Sequence, residues 1–266
     1  MATCSVNVGS VTEKLDSCLS KLGFEVYPLK VGWYNSVLPP ALHLSHPDDT
    51  LAVLVLSTPA MFEQAFLPFL EQRGCQGLTD PIDQCVTHCV HSAVSQSFPG
   101  MTVDVRYDFE LLPSRKPKFL AQTAAHVSGA AFYYQQADVT QQPWAEKKMF
   151  GVCVHPRFGG WFAIRALLVF VDVEVGAELV KPVPPDCVPS REDRIQLLEA
   201  FNFHWQDWSY RGIVRPVQTY SQKQMDYFST PPAQRFDLLR TWGLLTWENG
   251  ELDSSADSQN PLSGHG

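Results

Sequence analysis

Three arginines stand in apolar or helix-opening surroundings and are the residues of this chain best suited to bind an anion. Arg165 ends the run GVCVHPRFGGWFAIR (residues 151–165), Arg211 ends the aromatic run FNFHWQDWSYR (201–211), and Arg235 follows two prolines in TPPAQR. A guanidinium can hold a carboxylate by two parallel hydrogen bonds. Burying such a charge is costly unless a partner meets it. The three arginines therefore indicate either internal salt bridges or a site for a carboxylate ligand.

The segment that leads to Arg165 reads as a buried strand with an irregular beginning. Residues 161–171 are mostly apolar, as in strands that are covered on both faces. At the strand period of two, Trp161, Ala163 and Arg165 share one face. Gly159–Gly160 just before them indicates a bulge or a close approach by another part of the backbone.

The motifs and residues that could indicate a catalytic or metal site give weaker signals than the arginines. The chain has no Walker loop and no GxGxxG, GxSxG or HExxH motif. The nearest cluster of metal-ligand types is Cys85, His88, Cys89 and His91. No second pair stands at zinc spacing, which favours half-buried cysteines and exposed histidines. His126 fits either a metal ligand or a hydrogen-bonded core histidine. Its stretch, AQTAAHVSGAA (residues 121–131), makes a surface without bulk that suits a large flat ligand or another helix.

Composition bounds the class of protein. The chain has 266 residues, 45% of them hydrophobic, so it can bury a sizeable core. A net charge of −8 argues against a general nucleic-acid surface and against an anionic membrane as the main partner. The chain contains no run of the roughly 20 apolar residues that span a bilayer, and its first residues lack the pattern of a secretory signal. Seven cysteines at scattered spacings indicate a reduced, cytoplasmic setting.

The elements that must position these residues are strands and helices in irregular order. Continuous apolar residues over 51–57 predict a central strand, and residues 24–29, with Pro28, predict an edge strand. Alternation over 101–111 predicts a half-buried strand. Predicted helices cover 10–22, 59–71, 80–98, 119–135 and 190–201, with two more opened by Ser221 and by Thr230–Pro231–Pro232. We expect one α+β domain over residues 1–248 and a disordered polar tail over 249–266.

Several long stretches resemble one known family. They are FEVYPLKVGWYN, AQTAAHVSGAAFYYQ, GVCVHPRFGGWFAIR, FNFHWQDWSYR and YFSTPPAQR. From Gly23 to Leu239 the chain resembles the cobalamin-processing family of methylmalonic aciduria and homocystinuria type C, also called MMACHC or CblC. The resemblance implies a flavin nitroreductase-like α+β fold, a mixed sheet flanked by helices. It also implies binding of cobalamin with the benzimidazole tail displaced from cobalt.

The resemblance implies roles for individual residues. Arg165, Arg211 and Arg235 match the arginines that hold glutathione in the family. The implied cobalamin contacts are Asp108, Phe119, Leu120, Ala121, Gln122, Tyr133, Tyr134, Gln135, Cys153, Ile164 and Trp208. His126-x-x-Gly129 matches half of the DxHxxG signature of cobalt ligation through histidine. Because Ala124 stands where the aspartate that orients the histidine would be, we expect no protein ligand to cobalt.

Two activities follow from the resemblance. One is dealkylation of alkylcobalamins by glutathione, in which the glutathione thiolate is the nucleophile and the protein supplies none. The other is reductive removal of cyanide from cyanocobalamin, with FAD or FMN as electron carrier and NADPH as electron source. The implied partners are the type D cobalamin-trafficking protein (MMADHC) and methionine synthase, and the implied state is a monomer or a ligand-dependent homodimer. Two alternatives stay open, a cobalamin chaperone without turnover and an ordinary flavin nitroreductase.

Overall fold

The fold is organised by a four-stranded sheet. In the computed structural model, which describes residues 7–73 and 77–245, its strands are β1 (Phe24–Lys30), β2 (Thr50–Ser57), β3 (Val103–Tyr107) and β6 (Ala163–Glu174). A separate two-stranded sheet consists of β4 (Phe132–Tyr134) and β5 (Val152–Val154). The strand order of the larger sheet is β1–β2–β6–β3, and every pairing in both sheets is antiparallel.

Eight α-helices are found in the described part of the chain. They are α1 (Val8–Leu19), α2 (Val31–Asn35), α3 (Leu67–Arg73), α4 (Pro81–Ser97), α5 (Ala121–Val127), α6 (Arg191–Phe203), α7 (Gln222–Ser229) and α8 (Arg235–Thr241). A π-helical turn, Phe62–Phe66, leads into α3. Helices pack on both faces of the sheet, which is typical of an α+β fold. Within the described ranges no helix is both long and apolar enough to cross a membrane.

The sheet separates two hydrophobic cores. Val53, Val55 and Leu168 face a layer that includes α1, α3 and α4, and we call this side the α1 face. Leu54 and Leu167 point the opposite way, toward α2 and α5, and we call this side the α5 face. A third core joins β4 and β5 to α6. Because strand side chains alternate between faces, neighbouring residues of one strand can serve two different environments.

Local sequence signals set most element boundaries as expected. Asp80, Ser190 and Ser221 each accept a hydrogen bond at the N-terminus of α4, α6 and α7. All eight residues of β2 are buried, as the apolar run predicted. β1 lies at a sheet edge, where Pro28 loses no ladder bond. The tail predicted over 249–266 lies outside the described residues.

Three predicted elements are wrong in extent. The helix predicted over 119–135 is only Ala121–Val127, because the chain turns at Gly129 with a φ of 74° and returns as β4. Pro182 packs so close to Gly129 that a Cβ there would lie 2.7 Å from Pro182 Cγ. The strand predicted to begin at Trp161 begins at Ala163. The predicted strand over 101–111 is likewise limited to Val103–Tyr107.

Candidate functional site

Arg165 occupies a β-bulge near the start of β6. Val55 pairs with Ala166, but its neighbour Leu56 pairs with Ile164, so Arg165 is the extra residue between them. Ile164 packs on the α5 face, whereas Ala166 lies in the core of the α1 face. The prediction that Trp161, Ala163 and Arg165 share one face of a strand is wrong for Trp161, because Trp161 precedes the strand.

The bulge directs Arg165 toward acidic and polar groups on the α1 face. The Arg165 residue is 8% exposed, and its Nε donates to Ser57 Oγ at 3.0 Å. The guanidinium acts electrostatically on Asp83 and Asp108. Burial and the charge of Asp80 raise the pKa of Asp83 to about 6, against the opposing effect of Arg165. Burial likewise raises the pKa of Asp108, whose Oδ1 is buried without a hydrogen-bond partner among the described residues.

Arg235 reaches the same neighbourhood from α8. It is the first residue of that helix, and its Nε donates to the Thr230 carbonyl at 3.2 Å. Its guanidinium lies 4.9 Å from the ring centroid of Tyr227 on α7. Its positive charge also lowers the pKa of Asp83 against the effect of burial. Arg165 and Arg235 therefore both act electrostatically on Asp83, although 70 residues of sequence separate them.

Arg211 is held in a box of aromatic rings. Its guanidinium lies 4.8 Å from the ring of Trp208, 5.1 Å from Tyr220, 5.2 Å from Tyr210 and 5.9 Å from Trp161. The Trp161 and Trp208 indoles are parallel within 2° at a centroid distance of 5.9 Å. Trp208 has a φ of 64°, a left-handed conformation that is costly for a bulky residue. Arg211 Nε is buried and finds no hydrogen-bond partner among the described residues.

The two glycines before β6 allow the backbone around Arg211 to come close, as the sequence predicted. Gly160 N donates to the Arg211 carbonyl at 2.9 Å, and Arg211 Nη1 donates back to the Gly160 carbonyl. A Cβ on Gly160 would lie 2.9 Å from Arg211 Cα, and one on Gly159 would lie 2.4 Å from the Arg211 carbonyl oxygen. A side chain at either position would displace Arg211.

Tyr220 links the aromatic box to Arg235. Tyr220 contacts Trp208 at 6.0 Å and Phe228 at 5.7 Å between ring centroids. Arg235 in turn lies 6.0 Å from the Phe228 ring. Arg211 and Arg235 thus lie along one set of ring contacts, and Arg235 shares with Arg165 an electrostatic effect on Asp83.

Six of the predicted cobalamin contacts belong to one apolar cluster. They are Phe119, Leu120, Ala121, Tyr133, Cys153 and Ile164. All belong to the hydrophobic core on the α5 face or pack against it. Leu120 N donates to Tyr34 Oη at 2.8 Å, which fixes the start of α5. Burial raises the pKa of the Cys153 thiol, so this sulfur is an apolar group rather than a nucleophile.

The remaining predicted contacts lie elsewhere. Tyr134 is fully buried in the third core, where its hydroxyl donates to Asp186 at 2.7 Å. Gln135 and the Gln122 side chain are exposed, and the Gln122 carbonyl accepts from Cys153 Sγ at 3.7 Å. Asp108 adjoins Arg165, and Trp208 stacks beside Arg211.

The two candidate metal sites of the sequence have other surroundings in the structure. His126 Nδ1 accepts a hydrogen bond from Tyr133 N at 3.2 Å, and burial lowers the pKa of its imidazole. Cys85 and Cys89 are buried in the core of the α1 face. No group of three or more metal-ligand side chains comes together in residues 7–73 and 77–245. Of the two interpretations of His126, a metal ligand or a hydrogen-bonded histidine, the hydrogen bond from Tyr133 N favours the second.

Sequence reasoning missed two residues that organise the site. Ser57 ends the apolar β2 run and meets Arg165, which only the register of β2 and β6 determines. His155 is 1% exposed and anchors the turn before the two glycines. Its place in the motif HPRFGG was the one available signal.

Fold and site together define an α+β protein in which β6 and the turn before it join an apolar cluster to partly buried arginines. The chain belongs to the methylmalonic aciduria and homocystinuria type C (MMACHC) family, whose model matches residues 23–239. The predicted family and the predicted α+β fold are confirmed.

Relatives of known name cover most of the chain. A zebrafish (Danio rerio) protein named cyanocobalamin reductase / alkylcobalamin dealkylase is 61% identical over 246 residues, 92% of this chain and 98% of its own. The human (Homo sapiens) protein of that name is 54% identical over 232 residues, 87% of this chain and 82% of its own. A crystal structure of a Caenorhabditis elegans B12-trafficking protein, CblC, superimposes with a TM-score of 0.81 at 32% identity, covering 92% of this chain and 98% of that one.

Proposed function

We propose that this protein is a cobalamin-processing enzyme, an alkylcobalamin dealkylase and cyanocobalamin reductase. The observation that carries the proposal is the position of Arg211 beside the apolar core on the α5 face. Arg211 exchanges hydrogen bonds with Gly160, and Phe158 and Phe162 on either side of that glycine belong to this core. An anionic thiol held by Arg211 would therefore lie close to a corrin on the α5 face. Relatives that cover most of this chain carry the names of both activities.

In this proposal the corrin lies against the α5 face. The corrin ring is wide and largely apolar, and Ala121 and Cys153 offer a surface with little bulk. Tyr133 and Ile164, which pack against the same core, flank that surface. Asp108 is suited to accept from a cobalamin amide, because its Oδ1 is buried without a partner among the described residues. We assign His126 no role in cobalt binding, because its Nδ1 accepts from Tyr133 N and the proton of the neutral ring then lies on Nε2.

Glutathione is the thiol that fits the arginines. It carries two carboxylates, and each can take a guanidinium fork from Arg165, Arg211 or Arg235. The positive field of these arginines also stabilises a thiolate over a thiol. Bound in this way, the thiolate attacks the alkyl carbon of alkylcobalamin. The S–C bond forms as the Co–C bond breaks, the bonding pair stays on cobalt, and the products are a glutathione thioether and cob(I)alamin.

Removal of cyanide requires electrons, which a reduced FAD or FMN supplies when NADPH keeps it reduced. The residues around Arg211 suit a flavin, because Trp208 presents a flat indole and Arg211 presents a cation with an unpartnered buried Nε. Trp208 would stack on the flavin ring, and Arg211 would bind its phosphate. The flavin site would then overlap the glutathione site.

The partners proposed from the family resemblance are the type D cobalamin-trafficking protein (MMADHC) and methionine synthase. Both would receive processed cobalamin from this protein acting as a chaperone in the cytoplasm. Transfer between proteins suits a monomer or a ligand-dependent homodimer, because the cargo must leave again. Co-purification of the tagged proteins with and without cobalamin tests these assignments, and loss of association in both conditions rejects them.

The experiment that tests the proposal is a glutathione titration of methylcobalamin dealkylation with Arg165→Ala. Losing a charge-assisted pair raises KM for glutathione roughly 10- to 100-fold. Arg191→Ala is the matched control, because Arg191 opens α6 and contacts the carbonyls of Thr140 and Gln141 instead. An unchanged KM in Arg165→Ala refutes the arginine assignment.

Product analysis separates the alternatives. Formation of the methyl thioether of glutathione identifies an enzyme, whereas binding of methylcobalamin without any thioether identifies a chaperone. A shift of the cobalamin absorption spectrum to the base-off form on mixing supports corrin binding. A protein that purifies with flavin and leaves the cobalamin spectrum unchanged would be an ordinary nitroreductase.

A further inference from the structure

A hydrogen-bonded network at the edge of the sheet has no role in the proposed chemistry. It joins Glu25 and Tyr27 of β1 to the buried His155. Tyr27 Oη donates to Glu25 Oε2 at 2.6 Å and lies 3.0 Å from His155 Nε2. Burial alone would raise the pKa of Glu25, but hydrogen bonds from His155 and Tyr27 and the charge of Arg157 lower it to about 2. Glu25 is therefore a permanent acceptor at the end of the network.

The backbone around His155 determines which nitrogen of its ring carries the proton. Its Nδ1 accepts from Arg157 N at 3.1 Å and from Phe158 N at 3.3 Å, so Nδ1 carries no proton. Nε2 is then the protonated nitrogen, and it donates to Tyr27 Oη, which donates to Glu25. Each hydrogen bond in the series runs in one direction, which favours a single orientation of the ring.

The turn held by His155 ends directly on Arg211. His155 N donates to the Gly159 carbonyl and Gly159 N donates to the His155 carbonyl, both at 2.8 Å. The next residue, Gly160, exchanges hydrogen bonds with Arg211. The series from Glu25 to Arg211 is therefore continuous through hydrogen bonds and one short turn.

We propose that His155 is a positioning residue for Arg211, with Tyr27 and Glu25 holding its ring. Because His155 is only 1% exposed, we assign it no contact with substrate. Its Nδ1 closes the 155–160 turn, the turn places the Gly160 carbonyl, and that carbonyl places the Arg211 guanidinium within its aromatic box. The inference rests on the proposed function, because the ligand of Arg211 is the glutathione assigned above.

Two substitutions at His155 separate its two nitrogens. His155→Phe removes both, while the ring still packs between Phe158 and Phe162, whose centroids lie 4.8 and 5.5 Å away. His155→Asn restores an acceptor close to the position of Nδ1. We expect His155→Phe to raise KM for glutathione about tenfold, the size of one lost charge-assisted hydrogen bond, with kcat and KM for methylcobalamin unchanged. His155→Asn should return KM to within about twofold of the original.

A double-mutant cycle with Arg211→Ala tests whether His155 acts through Arg211. If His155 acts through Arg211, His155→Phe has no further effect on KM in the Arg211→Ala background. Equal effects in both backgrounds, or a general loss of kcat and stability without a change in KM, overturn the positioning role. Tyr27→Phe serves if His155→Phe does not fold, and we expect a smaller rise in KM that also vanishes with Arg211→Ala. An unchanged KM in Arg211→Ala alone would instead refute the glutathione role of Arg211 and, with it, this inference.

Discussion

Gly160→Ala is the substitution that most directly tests the close contact between the 155–160 turn and Arg211. The added Cβ would lie 2.9 Å from Arg211 Cα and 3.0 Å from Arg211 Cγ. Cα is a backbone atom, so the contact cannot be relieved by rotating a side chain. Gly212→Ala is the matched control, because a Cβ on Gly212 meets nothing within 4 Å and the residue adjoins Arg211.

The two variants should change stability in opposite directions. Overpacking of a filled site costs roughly 1–3 kcal/mol, which applies to Gly160→Ala. At an accommodating site, glycine to alanine gains about 0.4–1 kcal/mol by restricting the unfolded chain, which applies to Gly212→Ala. For a protein of this size the loss corresponds to a fall in Tm of roughly 2–12 °C.

Urea unfolding measures the difference, with the m-value as a check that the denatured state is unchanged. Gly160→Ala should unfold at lower urea than the original protein, and its KM for glutathione should rise because Arg211 is displaced. Gly212→Ala should match or exceed the original in stability. Equal midpoints for the two variants would refute the close contact between Gly160 and Arg211.

Three further predictions concern titration and reactivity. Glu25 has a pKa lowered from 4.5 to about 2, so its ionised form stabilises the fold above pH 4.5 and this contribution is lost as the pH falls toward 2. Glu25→Gln should weaken that acid dependence of urea unfolding. Identical pH profiles for the variant and the original protein would contradict the prediction. Asp83 has a pKa raised from 3.8 to about 6, so the fold loses stability as the pH rises between these values. Asp83→Asn should remove that loss in thermal scans, and a loss that persists in this variant would contradict the prediction. Burial raises the pKa of the Cys153 thiol, so iodoacetamide at pH 8 should label Cys153 in urea but not in the native protein. Mass spectrometry measures the labelling, and rapid labelling of the native protein would exclude the buried position of Cys153.

Elements with local causes could be read from the sequence. Asp80, Ser190 and Ser221 cap helices through their own side chains, and such bonds need no distant partner. The apolar run of β2 predicts burial on both faces wherever the strand lies in the sheet. Pro28 restricts its strand to an edge because proline lacks the N–H of a ladder bond.

Elements with distant causes could not be read in this way. The alanine-rich stretch favours a helix as far as residue 135, but Gly129 turns the chain and β5 pairs with the segment that follows. The bulge at Arg165 exists only in the pairing of β6 with β2. His155 hydrogen-bonds to Tyr27, which lies 128 residues away along the chain.

The sequence by itself determined the family, the residue types of the site and the idea that Arg165, Arg211 and Arg235 bind an anion. A guanidinium in apolar surroundings requires a partner, and that requirement holds in any fold. Only the tertiary structure decided which side of the sheet each group serves. Strand register fixes the face of a side chain, and register depends on the partner strand rather than on the strand's own residues. Without the extra residue in β6, Arg165 would pair with Leu56 on the α5 face; with it, Ile164 takes that place and Arg165 faces the α1 side.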